Sequence, residues 1–303
     1  MITTICPIKN VNPTNQIYLP YKGNSKDLPI RSTNVSFCGH EISSGIIQKV
    51  LESISDKNLI GEGGYSKVYR FFDSKFDDYV IKVLKPNANT YPQLGELPKY
   101  NFGQAVRKIQ DNIFILRKQN GVQHGFENWT EVYLGKDVTK EQAHDFAENI
   151  KKISCMPDST FDSFAERTKY ITDNGFKSDS INPNNLLIDY ENNEINIIDY
   201  FRTNQSIMSK NSYLDMSNSI LDAMNFEQIC NALPQNERNE LIKNAKIILT
   251  KCYNSAEKMG LSTDKSVYEE YLSTVTRLLD AQKLMPSYKK FAELINLKQI
   301  PDK

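Results

Sequence analysis

The chain has 303 residues, long enough for one large domain or two small lobes with a full core. Lysine plus arginine and aspartate plus glutamate both number 37, so there is no positive excess to hold a phosphate backbone, and nucleic acid is not an expected partner. At 39% hydrophobic and 24% charged the composition is that of a soluble globular protein, with no apolar run long enough to span a membrane and no visible secretory signal.

Residues 1–42 are rich in Asn, Thr, Ser and Pro without a sustained period and read as an extended or disordered leader. Glu41 to Ser53 places Ile46, Ile47, Val50 and Leu51 on one side of a short helix. Leu59-Ile60, Lys67 to Phe72 and Tyr79 to Leu84 read as strands separated by Gly, Asp and Ser. Over 104–118, Ala105, Ile109, Ile113 and Leu116 recur at helical spacing, although Ile113 to Leu116 also suits a strand. Trp129 to Leu134 alternates like a strand.

Helices are expected over Lys140 to Ile153 and Ser159 to Asn174, the second closed by Gly175. Leu186 to Ile188 and Ile195 to Ile198, joined by Glu191-Asn192-Asn193, predict a β-hairpin. After Phe201 the pattern is helical, with apolar stripes over Glu240 to Met259, closed by Gly260, and over Ser266 to Met285. The five cysteines (Cys6, Cys38, Cys155, Cys230 and Cys252) form no C-x-x-C pair, and His40, His124 and His144 are equally scattered, so no zinc-ligand spacing appears.

Three separated pieces carry chemistry. The first is Gly61-Glu62-Gly63-Gly64-Tyr65-Ser66-Lys67-Val68, lying between two strands. Glycines let backbone amides approach an anion, although a plain hairpin turn has the same composition. It is not a Walker loop, and the strand–turn–strand setting does not suit a dinucleotide fold. The second is Tyr79-Val80-Ile81-Lys82, where an ammonium flanked by apolar residues is costly unless paired, and a phosphate would pair it. The third runs from Asp179 through Asn182, Asn184 and Asn185 to Leu186-Leu187, then to Ile198-Asp199-Tyr200-Phe201. Carboxylate and amide oxygens at one end of a hairpin suit Mg²⁺, and they equally suit Asx turns.

Together the three pieces resemble the protein-kinase-like fold over roughly Leu59 to Phe201. Gly61, Gly63 and Ser66 match its glycine loop, Val68 the valine over the adenine, and Lys82 the lysine of the third strand. Asn185-Leu186-Leu187 matches the end of the catalytic loop, and Asp199-Tyr200-Phe201 stands where Asp-Phe-Gly is usual. The resemblance implies an α+β, bilobal chain: a β-rich N-lobe over 43–136 and a helical C-lobe with a catalytic-loop hairpin over 137–303. It implies ATP and Mg²⁺ as cofactors. ATP would be held by Gly61, Glu62, Gly63, Gly64, Ser66, Val68 and Lys82, the metal by Asn185 and Asp199, and Asp179 would act with Lys82 in catalysis.

The departures leave alternatives open. There is no His-Arg-Asp, and Asp179 stands one residue farther from Asn185 than the kinase loop allows. Asn184 is then the metal ligand, or the loop holds an extra residue, or the base is lost. No helix-borne glutamate faces Lys82, leaving Glu96 or Asp111, and no Ala-Pro-Glu follows Phe201. This trimming resembles compact kinase-like effectors that some bacteria secrete into host cells, which implies a host protein substrate and signal-peptide-independent delivery; otherwise a cytoplasmic chain is expected. A Ser/Thr protein kinase, a small-molecule kinase of aminoglycoside-phosphotransferase type and a pseudokinase scaffold all remain open.

Overall fold

The computed structural model describes residues 44–63, 65–86, 88, 97, 99–126, 129–133, 135–178, 182–202, 213–265 and 284–296. The expected leader, Gly64, Glu96, Asp179 and most of the 266–285 stripe lie outside them. The fold is α+β, and the chain divides into two compact units, Met1–Lys118 and Gln119–Lys303, upstream of the boundary expected at 136.

The first unit is built on one antiparallel sheet. Strands β1 (Leu59–Glu62), β2 (Ser66–Arg70), β3 (Tyr79–Leu84), β4 (Ala105–Gln110) and β5 (Ile113–Arg117) are ordered β1-β2-β3-β5-β4. Helix α1 (Ser44–Ser53) lays Val50 onto one face, where it joins Tyr69, Phe71, Phe76, Ile81, Ile113 and Ile115. Lys49 of α1 pairs with Asp73 at 2.5 Å, and the Phe72 amide donates to the Ser53 hydroxyl at 3.2 Å, so the helix end is tied to the chain following β2. The other face carries a smaller cluster of Val80, Leu84, Ala105, Phe114 and Leu116, with Val68 against it.

Of the two readings over 104–118, the strand over Ile113 to Leu116 is present as β5, and the helix is replaced by the β4–β5 hairpin, turning at Asp111-Asn112. Its apolar residues satisfy the helical period, but β5 lies between β3 and β4, and Ile113 to Leu116 are buried in succession on both faces. A helix buries one stripe; a central strand of β-branched and aromatic residues buries two, and the second outcome wins.

In the second unit, β6 (Val122–Gln123) adds to the hairpin of β8 (Leu186–Asp189) and β9 (Glu194–Ile197), while β7 (Phe176–Ser178) pairs with β10 (Tyr200–Arg202). Helices α3 (Lys140–Ser154), α4 (Asp158–Asp173) and α5 (Tyr213–Leu221) all pack on the 25-residue α7 (Gln235–Met259). Helix α6 (Phe226–Ala232) meets α8 (Leu284–Leu294) through Phe226 and Phe291, with ring centres 5.3 Å apart. The start of α3 is fixed by a reciprocal cap between Thr139 and Gln142. The expected helices over 140–153, 159–174 and 240–259 and the expected hairpin are all present.

Residues 129–133 form a helix, α2 (Trp129–Tyr133), where alternation suggested a strand. Trp129 and Val132, both buried and three apart, share a helix face but would lie on opposite faces of a strand. The indole of Trp129 is buried and donates to Asp222, and that tertiary bond decides the conformation.

Candidate functional site

In the first unit the glycine segment forms the β1–β2 turn. The Gly63 amide donates to Ser66 O at 2.9 Å, and the Lys85 amide donates to Tyr65 O at 2.8 Å, which ties the end of β3 to the same turn. Cross-strand partners in an antiparallel sheet share a face. Gly61 is opposite Val68 and Val68 is opposite Lys82, so these three form a row on the face holding the Val80, Leu84 and Phe114 cluster. Glu62 is opposite Lys67, one position along, and so lies on the reverse face, where it pairs with Lys85 at 2.7 Å and Lys67 at 3.3 Å.

A Cβ at Gly61 or Gly63 meets nothing within 4 Å, and neither residue has a positive φ. Neither turn geometry nor internal packing therefore demands glycine at these two positions, whereas a group arriving from outside gains room there. The Lys82 side chain is half-buried, and its ammonium makes no hydrogen bond or ion pair among the described residues. Asp111 is not its partner: that carboxylate sits in the β4–β5 turn, paired with Lys108 at 2.9 Å.

The second unit assembles the Asn185 and Asp199 segments. Leu186 is paired with Ile197, and the Ile198 amide donates to Asn185 O at 3.0 Å, so Asn185 and Asp199 sit at the same end of the β8–β9 hairpin. Asp189 sits at the other end, accepting from the amides of Glu191 and Asn192 at 3.1 Å in an ordinary Asx turn. Ser178, which precedes Asp179, is paired with Tyr200, which follows Asp199. Two short ladders thus gather three stretches of chain at one place. Asp199 is exposed and Asn185 half-buried, an accessible pair of hard oxygen donors of the kind Mg²⁺ takes alongside phosphate oxygens. Among the described residues no cluster of three or more His, Cys, Asp or Glu that could hold a metal ion occurs.

Asn184 has different work. Its amide nitrogen donates to Phe126 O at 3.0 Å, and its Oδ1 is buried against Gly125 without a hydrogen-bond partner. A Cβ at Gly125 would collide with that carboxamide. Asn184 therefore anchors the loop, its carboxamide held against Phe126 and Gly125. Gly125→Ala is expected to destabilise the second unit by about 1–3 kcal/mol through overpacking, read as a lower midpoint in urea; an unchanged midpoint would remove the anchoring role.

The sequence reading missed the groups that hold this assembly. Lys177 of β7 and Asp215 of α5 form an ion pair at 3.3 Å with both side chains almost wholly buried. Asp222 is also buried, accepting from the Trp129 indole at 3.1 Å and from the Asn225 carboxamide at 3.0 and 3.2 Å. Burial pushes its carboxyl up to about 6, against the opposing pull of the Asn225 and Trp129 bonds. His124 lies against Phe146 and bonds Ile220 O through Nε2, and burial depresses it to about 4. Nothing in the local pattern marks these residues, since single charges beside short apolar runs read as solvated ends of elements.

No helix among the described residues is long and apolar enough to cross a membrane. Set beside known proteins, the chain matches no protein-family model, and no curated protein is significantly similar to it in sequence.

Proposed function

We propose that this chain is an ATP-dependent phosphotransferase of protein-kinase-like, two-lobed architecture, acting on serine or threonine hydroxyls of a protein substrate. The observation that carries this reading is the gathering, within the second unit, of the Asp179-flanking strand, Asn185 and Asp199 by the β7–β10 and β8–β9 ladders. The row of Gly61, Val68 and Lys82 on one face of the first unit's sheet supports it independently. ATP supplies the phosphoryl group, and its Mg²⁺ neutralises charge on the phosphate oxygens. Amides of the glycine turn bind the phosphates, Val68 packs on the base, and the Lys82 ammonium orients the phosphate chain. Asn185 and Asp199 hold the metal, and Asp179 orients the acceptor hydroxyl and takes its proton. Such positioning and charge neutralisation supply most of the rate, with the base adding on the order of 10²–10⁴-fold.

Lys82→Ala and Asp199→Ala are each expected to abolish transfer of labelled phosphate from ATP by the purified full chain to a mixture of host or bacterial proteins. Transfer at the wild-type rate by either variant would end the proposal. A pseudokinase scaffold is the second reading, favoured by the missing acidic partner of Lys82 among the described residues. It predicts no transfer under any condition, and its nucleotide binding is read from the rise in melting temperature with ATP and Mg²⁺, since ligand at 100 times its Kd stabilises by about 2.7 kcal/mol.

A further inference from the structure

We infer that Glu62 is a positioning residue: it does not touch nucleotide, and it shapes the glycine turn from behind, through a clasp on Lys67 and Lys85. The inference rests on the nucleotide-binding reading for its functional half and on geometry alone for its structural half. Glu62 ends β1 and faces away from the row formed by Gly61, Val68 and Lys82, because its cross-strand partner is Lys67, the neighbour of Val68. Its two carboxylate oxygens are divided between two strands: Oε1 takes Lys85, just beyond β3, at 2.7 Å, and Oε2 takes Lys67 of β2 at 3.3 Å. One side chain thereby spans β1, β2 and the end of β3 at the rim from which the turn projects.

The same rim carries the two backbone bonds that close the turn, Gly63 N–H to Ser66 O and Lys85 N–H to Tyr65 O. Lys85 is thus held twice, by its amide to the turn and by its ammonium to Glu62. The electrostatics agree with the geometry. The two lysines, Lys85 first, hold the Glu62 carboxyl below its usual range, and Glu62 raises Lys67. Glycines at 61 and 63 contribute no side chains to fix the pitch of the turn, and Cβ positions there are open. A pitch set from the reverse face leaves the phosphate-facing side clear, which a clasp on that side would block. Because all three groups are partly solvated, the clasp weakens as salt rises.

Hydrogen exchange on the full chain, without nucleotide, tests the structural half. Glu62→Gln is expected to speed exchange of the Gly63 and Lys85 amides about three- to ten-fold, the loss of two exposed ion pairs, and 1 M NaCl is expected to do the same to wild type and little more to the variant. Unchanged exchange in Glu62→Gln overturns the inference whatever nucleotide does. Titration with ATP and Mg²⁺, read by melting temperature, tests the functional half. Glu62→Gln is expected to weaken apparent affinity by a similar factor, with Lys85→Met behaving alike and the double variant no worse than either. Wild-type affinity in Glu62→Gln overturns the positioning role and leaves the nucleotide reading standing. No shift in wild type removes that reading, and the positioning role with it, while the exchange result still reports whether the clasp exists.

Discussion

Lys177→Met is expected to lower the stability of the second unit by about 3–5 kcal/mol, the usual cost of removing one partner from a buried ion pair. Among the described residues, the pair with Asp215 is the ion pair with both side chains almost fully shielded, at 1% and 2% exposure. Methionine matches the length of lysine, so packing is largely kept while Asp215 loses its counter-charge in a low-dielectric setting. Asp215→Asn leaves the ammonium in the converse position and is expected to cost a similar amount. The double variant removes both charges and is expected to recover at least half of either loss. The sole tryptophan, Trp129, is buried in this unit, so its emission during urea unfolding reads the effect directly. A loss below about 1 kcal/mol for Lys177→Met, in the range of exposed pairs, would show that the pair does not tie β7 to α5. Because β7 is paired with the strand that follows Asp199, the same variant is expected to reduce any phosphate transfer, through misplacement and not through chemistry.

The second large effect is on pH dependence. Asp222 titrates at about 6 in the folded chain against 3.8 ordinarily, and His124 at about 4 against 6.5. For Asp222 the folded state keeps its proton longer than the unfolded state, so this group's contribution falls as pH rises from about 4 to about 6. For His124 the unfolded state takes up the proton first, so its contribution rises from about pH 4 and is complete above 6.5. Each is worth about 3 kcal/mol, with opposite sign over nearly the same window, and in wild type they largely cancel. Asp222→Asn unmasks the rising limb: its stability relative to wild type is expected to climb by about 3 kcal/mol between pH 4 and 6. His124→Gln retains a donor for Ile220 O and is expected to fall relative to wild type by a like amount over that range. Parallel curves for wild type and both variants would show that neither group is shielded from water as described.

Where period and burial agree on one structure, the sequence was sufficient. The helices expected over 140–153 and 240–259 each have one apolar stripe, the second beginning five residues earlier than read, and the 186–197 hairpin has two short apolar runs about an Asn-rich turn. It failed at 105–117, where a central strand buries both faces and so mimics a helical stripe, and at 129–133, where a bond to Asp222, far along the chain, sets the conformation. The glycine turn between two strands, the strand carrying Lys82 and the hairpin with Asn185 and Asp199 at one end were legible as elements because turn and strand patterns are local to each segment. Lys177, Asp215, Asp222 and His124 were not, because a buried charge acquires its meaning from a partner that only folding supplies. The role of Asn184 also needed the backbone of Gly125 and Phe126 beside it.

The long helix α7 imposes an order on biosynthesis. In the first unit β1, β2 and β3 pair as successive neighbours, so that sheet can close soon after its last strand leaves the ribosome. In the second, α3, α4 and α5 all await a common support encoded downstream of every one of them. At about 5–20 residues per second of translation, α3 waits roughly 5–21 s and α5 roughly 2–8 s for α7 to be completed, with their apolar stripes uncovered. A nascent chain arrested before residue 235 is therefore expected to present a protease-resistant first unit and a digestible remainder.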